Sequence, residues 1–351
     1  MSFPIRSSLS GLFALAVVVV AGGCGGGEPG LHPASQPPVL VDFTPASPRL
    51  GKQALVDDLR VLSAPDMEGR KLGSAGNAKA RAMIVGRFQQ LGLSSYGGGF
   101  EQPATWRNTP CTNVVGYWPG ATNPGRAILF TAHYDHIGIR NGEINTGADD
   151  NASGSAALLQ LAAWLKDHPP AHTVVFCLFD GEEAGLYGSQ AFVAAPPAAL
   201  PLAAIDVVLN LDMIAQGTKG RIFVGGTSYT TALKPHLAAA FSASAVRLVP
   251  DFETYDNASD QFPFMQRGIP FLFFCVGDDD PYYHTPRDTF ESIPQVFYWA
   301  AVEAILDTFL RLDGLPNIPL ILPRPPVREP GAEQRALDPH PWRHRRIQGE
   351  E

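Results

Sequence analysis

From about residue 50 to residue 312 the chain alternates short apolar runs with stretches of helical periodicity. Runs of strand length recur at Asn113–Tyr117, Arg126–Ala132, Thr173–Phe179, Ile205–Met213, Arg221–Val224 and Ile269–Val276. Most are close to continuously apolar, as in strands buried on both faces. Helical patterns precede them at Ala54–Leu62 and Asn77–Leu91. Others fall between or after them at Ala152–Lys166, Leu186–Ala194, Thr230–Ser242 and Pro294–Leu312. This alternation predicts an α/β fold, a single-domain three-layer α/β/α sandwich around a mostly parallel mixed sheet. No internal repeat is visible.

The ends have a different texture. Arg6 precedes an apolar stretch, Leu12–Ala21, too short for a stable membrane span. It runs into Val20-Ala-Gly-Gly-Cys24, so residues 1–24 resemble a bacterial lipoprotein signal with Cys24 as the lipidated residue. That implies an exported protein, lipid-anchored in the bacterial cell envelope, at the periplasm or the cell surface. An ordinary cleaved signal is the alternative. Residues 25–49, rich in Gly, Pro and Ser, read as a flexible tether. Residues 313–351, Pro-rich with a basic run at Trp342–Arg346, read as a disordered tail. The expected catalytic domain is therefore 50–312.

Composition narrows the function classes. With 351 residues, 45% hydrophobic and 17% charged, the chain can bury a large core. A net charge of −8 and a pI near 5.6 argue against a nucleic-acid partner, which requires a basic face. Beyond Cys24 the cysteines are Cys111, Cys177 and Cys275, without CxxC spacing, and are not the expected metal ligands.

Chemistry collects at the carboxyl ends of the expected strands, where an open α/β sheet places its ligands. Thr131–Gly154, TAHYDHIGIRNGEINTGADDNASG, presents His133, Asp135 and His136 just after a strand, then Asp149 and Asp150 ahead of a helix. FDGEEAGLYGS (179–189) adds Glu182 and Glu183, NLDM ends on a strand-terminal Asp212, and YYHTPRDT (282–289) contributes His284. An unpaired charge at the end of an apolar strand is costly, and carboxylates converging with imidazoles suit a divalent cation. Taken singly, each of these residues reads as a helix cap, a turn or a solvated surface group. Delivered together by separate strand ends, they point to a metal centre. Neither HExxH nor GxSxG occurs.

HYD, GADDNASG, FDGEEAGLYGS, NLDM and HTPRDT, in that order, resemble the co-catalytic di-zinc exopeptidases. These include secreted bacterial leucine aminopeptidases and, more distantly, glutamate carboxypeptidase II. The resemblance implies a zinc-exopeptidase (phosphorylase/hydrolase-like) fold and two Zn2+ per chain. It implies that His133 and Asp212 hold one zinc, that Glu183 and His284 hold the other, and that Asp150 bridges them, with Asp149 the weaker alternative. Asp135 would orient His133, and Glu182 would be the general base for a metal-activated water. On this reading Asp149 and Asp180 shape turns and His136 lies on the rim. The implied activity is removal of the first residue from peptides with a free amino terminus.

Two departures stand out. Gln261 occupies the place of a histidine found in many relatives, in SDQFPF (259–264), and Tyr255 is near but out of register with a tyrosine that assists the oxyanion in some relatives. The short link before Asn113 leaves no room for an inserted protease-associated domain. The rivals on the same fold are a glutaminyl-peptide cyclase and a carboxypeptidase for acidic dipeptides. A metal- or peptide-binding lipoprotein without catalysis is the rival of another class.

Overall fold

A computed structural model describes residues 41–318; the expected signal, most of the tether and nearly all of the expected tail lie outside the described residues. The strands are β1 (Glu101–Trp106), β2 (Thr109–Trp118), β3 (Asn123–His133), β4 (Gly138–Arg140), β5 (Glu143–Asn145), β6 (His172–Phe179), β7 (Ile205–Leu211), β8 (Arg221–Gly225), β9 (Arg247–Pro250) and β10 (Phe271–Cys275). The helices are α1 (Lys52–Leu62), α2 (Ala75–Leu91), α3 (Gly154–Asp167), α4 (Tyr187–Ala194), α5 (Lys234–Phe241), α6 (Gln261–Gln266) and α7 (Gln295–Asp313).

Eight strands form one sheet in the order β1-β2-β6-β3-β7-β10-β8-β9, while β4 and β5 form a separate hairpin. The central four, β6, β3, β7 and β10, pair in parallel; β1, β2 and β6 are successively antiparallel, β8 runs antiparallel to β10, and β9 is parallel to β8. The apolar runs follow from this. Ile128 and Phe130 of β3 face one layer while Ala127 and Leu129 face the other, and Val174/Phe176 and Val175/Cys177 of β6 divide the same way. Helices α1, α2, α3, α5 and α7 pack on the first face, α4 and α6 on the second. Both faces being covered, almost every residue of a central strand is buried.

The expected elements recur with small shifts. β7 stops at Leu211, short of the expected Met213, because Met213 adopts φ +58° and leaves the ladder. The expected helix over Thr230–Ser242 splits into a 3-10 turn and α5, with Pro235 in the first turn of α5. Besides the short β4–β5 hairpin, the strands absent from the pattern are the edges of the main sheet: β1 alternates exposed and half-buried positions and carries Pro103, and β9 is four residues long. Packing also passes both expected domain limits. Phe43 meets Phe297 edge-on at 5.4 Å, and Ile318 is buried.

The chain leaves β3 through α3 to reach β6 on one side, then passes through α4 to β7 on the other. The carboxyl end of β3 is thus where the sheet's winding reverses, and a crevice opens there. Among the described residues no helix is long and apolar enough to cross a membrane.

Candidate metal centre

His133 is the last residue of β3 and pairs with Phe179, the last residue of β6. Glu182 and Glu183 follow in the turn beyond β6, Asp212 follows β7, Asp150 precedes α3, and His284 lies in the loop after β10. Side chains from four loops therefore converge on the reversal point of the sheet.

They form two groups sharing one residue. In the first, His133 Nε2 lies 3.2 Å from Asp212 Oδ1, 3.4 Å from Asp150 Oδ1 and 4.0 Å from Glu182 Oε2. In the second, His284 Nε2 lies 3.0 Å from Asp150 Oδ2 and 3.1 Å from Glu183 Oε1. The two oxygens of Asp150 thus face different groups. Donors around a tetrahedral zinc at bonds of about 2.0–2.2 Å sit about 3.3–3.6 Å apart. The observed separations, and a donor set of imidazole and carboxylate without thiolate, fit zinc in both groups.

Buried groups hold these loops in register. Asp135 accepts the backbone N–H of Glu182 at 3.0 Å and of Glu183 at 3.3 Å, and its own carbonyl lies 3.1 Å from His133 Nδ1. Asp288, from HTPRDT, does the same for the other turn, accepting the N–H of Asp149 at 2.8 Å and of Asp150 at 3.1 Å. Beneath them Arg70, fully buried, donates to the carbonyls of Tyr134, Leu62, Thr146 and Gly147. Gly147 sits at φ +59°, and a Cβ there would fall 2.1 Å from Asp150 O and 2.6 Å from the His136 ring. Only glycine permits this approach.

The charges respond to one another. Burial draws the His133 imidazole down, but the Asp212 and Glu182 carboxylates outweigh it and hold it well above its usual range. Burial likewise opposes His284, which Glu183 and Asp150 raise to about 10. Burial, reinforced by Asp212 and Glu183, pushes Glu182 well up against the opposing charge of His133. Burial also works on Glu183, yet His284 and His136 hold it well below the carboxylate range. The positive charge of the imidazoles and the buried carboxylates thus oppose one another across the site. A divalent cation would supply positive charge to the same carboxylates.

The structure brings His133, Asp150, Glu182, Glu183, Asp212 and His284 together, with Asp135 directly behind them. Asp149 stays outside both groups, its Oδ1 accepting the Ala215 N–H at 2.6 Å. Asp180 binds Asn77 and the Thr112 N–H, a turn-shaping role. The rim position expected for His136 is corrected: it is fully buried inside the second group, because Gly147, lacking a Cβ, lets its segment close against the ring. Gln261 is structural, donating to the carbonyls of Tyr255 and Asp256 and accepting from Asn210. The Tyr255 hydroxyl is committed to Asp278. Tyr283, not among the site residues expected from the sequence, stacks on His284 with centroids 3.9 Å apart. Burial and the charges of Asp150, Glu183, Glu182 and Asp212 push its hydroxyl well up. Its adjacency to His284 was the available signal. Cys111, Cys177 and Cys275 are free and buried and belong to neither group.

Residues 113–309 match the model for Peptidase family M28. Aminopeptidase YwaD of Bacillus subtilis is 30% identical over 177 residues, 47% of this chain and 36% of that protein. Leupeptin-inactivating enzyme 1 of Streptomyces exfoliatus is 27% identical over 263 residues, 74% of this chain and 56% of that protein. The matches thus span between a third and somewhat over half of these relatives' own length. A zinc aminopeptidase from Bacillus subtilis superposes with a TM-score of 0.62 at 17% identity, over 74% of this chain and 94% of its own. An Acidobacteriales bacterium glutaminyl cyclase does so at 0.62 and 24% identity, over 80% and 98%. With the family model covering most of the sheet and every loop of the metal centre, the chain belongs to peptidase family M28.

Proposed function

We propose that this protein is a zinc-dependent aminopeptidase that hydrolyses the first peptide bond of chains with a free amino terminus. The observation carrying this reading is that Asp150 presents one oxygen to each of two donor groups, as a ligand shared by two cations does. His133 and Asp212 would complete one site, Glu183 and His284 the other. When bound there, two zinc ions would supply Lewis acidity and lower the pKa of a bound water. Glu182 stands off at 4.0 Å from His133 and is the group suited to take the proton of the attacking water and pass it to the leaving amine. Asp135 holds the Glu182 turn and the His133 ring together. Tyr283, beside His284, is the side chain suited to donate to the developing oxyanion.

The test is mass spectrometry on a pool of free and amino-acetylated peptides incubated with zinc-loaded protein. Stepwise loss of first residues from free peptides alone, stopped by a chelator, is expected. Loss of ammonia from peptides beginning with Gln would replace this reading with a cyclase, and trimming from the other end with a carboxypeptidase. An untouched pool with zinc confirmed bound would favour a binding role.

The single catalytic domain, export and a lipid anchor at Cys24 belong to the same proposal, and the last two rest on the signal-like sequence alone. Labelled fatty acid should enter the wild-type chain and not Cys24→Ser. Equal labelling would remove the anchor.

A further inference from the structure

We propose that His136 is a nitrogen ligand of the second metal ion, making that site a closed set of two imidazoles and two carboxylates. The inference rests on the two-metal reading above and deepens it. The His136 ring is fully buried. Its Nδ1 lies 2.8 Å from Glu183 Oε1 and 3.5 Å from Asp150 Oδ2, the same two oxygens that His284 Nε2 approaches at 3.1 and 3.0 Å. Four contacts of this length between four donor atoms trace four edges of a tetrahedron, near the edge length of about 3.3–3.6 Å for zinc. Despite their proximity, neither oxygen stands in hydrogen-bonding direction from Nδ1, and Nε2 also makes no hydrogen bond. A buried imidazole normally orients by hydrogen bonding. This one is instead wedged by Gly147 and aimed between two carboxylates, edge-on to His284 with ring centroids 5.6 Å apart.

The two sites then differ in kind. Four protein ligands close the second, as in zinc sites that hold their ion firmly. The first has His133, Asp212 and the shared Asp150, and keeps a position open for water and substrate. The second ion is therefore the tightly held one.

The experiment titrates metal-free full-length protein with zinc against a chromophoric chelator, for wild type, His136→Ala and His136→Asn. Asn places an amide near the Nδ1 position, able to hydrogen-bond Glu183 but a poor zinc ligand. Two equivalents of unequal affinity are expected for wild type. The tighter should weaken more than about 100-fold in both variants, beyond the 10–100-fold typical of losing an outer partner. Retention of the tight site by His136→Asn would overturn the proposal. In cobalt-substituted wild type, exchangeable imidazole N–H resonances shifted by the metal should number three. A count of two would overturn the assignment even if the variants fail to fold. A wild type that binds fewer than two equivalents would instead sink the two-metal reading on which the proposal rests.

Discussion

At the scale of single residues, the position of a carboxylate decides its chemistry. Glu182 and Glu183 are neighbours, yet His284 and His136 hold Glu183 down as a ligand-ready anion while burial pushes Glu182 up towards a proton carrier. Glu182→Gln should therefore keep its zinc and lose turnover by about 10²–10⁴-fold. Loss of a zinc equivalent would make Glu182 a ligand instead. Tyr283→Phe should lower kcat by about 10²–10³-fold with KM moved far less, and unchanged kcat would remove it from oxyanion stabilisation. Away from the metal centre, burial raises Asp256 to about 7, with the Tyr229 hydroxyl opposing. The folded state then keeps a proton that the unfolded chain releases near pH 4, so this residue's contribution to stability falls as pH rises from about 4 to 7. Urea unfolding of metal-free wild type and Asp256→Asn should differ increasingly across that window. Parallel curves would show the carboxyl is already ionised.

At the scale of elements, the loops carrying ligands are tied by their backbone. The segment 145–150 has its carbonyls held from below by Arg70 and its amides from the side by Asp288, so Asp150 is placed by groups of opposite charge acting on the same turn. Arg70→Met should leave four carbonyls without their donor and cost about 3 kcal/mol or more in urea unfolding of the metal-free protein. A cost below about 1 kcal/mol would mean that water replaces the guanidinium. This clamp was invisible in the sequence, where Glu68-Gly-Arg-Lys-Leu-Gly-Ser74 is only a polar link. A guanidinium becomes a structural donor only when the fold buries it. The edge strands β1 and β9 escaped for a related reason: an exposed edge imposes no apolar run.

At the scale of the whole molecule, the sheet's winding reversal brings four loops to one crevice, where a bound metal would join them. Metal that binds only the native state adds RT ln(1 + [L]/Kd), about 2.7 kcal/mol at one hundred times Kd. Chelation should therefore lower the melting temperature of the zinc-loaded protein, and zinc should restore it. A melting temperature indifferent to the chelator would mean that the four loops are held without the ions.

The central strands were legible because both their faces are covered, which forces nearly every position to be apolar, as in Val174–Leu178 and Val207–Leu209. His133, Glu182, Glu183 and Asp212 were legible because each stands at or just past the end of such a run, and Asp150 and His284 because they sit in the polar motifs GADDNASG and HTPRDT of the loops that follow. What tertiary structure alone decided is how those charges meet. It divides the oxygens of Asp150 between two groups, turns Asp149 away, buries His136 inside the second group, and brings Asp288 and Arg70 to the same turn across more than 200 residues of sequence. Such relations depend on distance and direction in space, and local residue patterns encode neither.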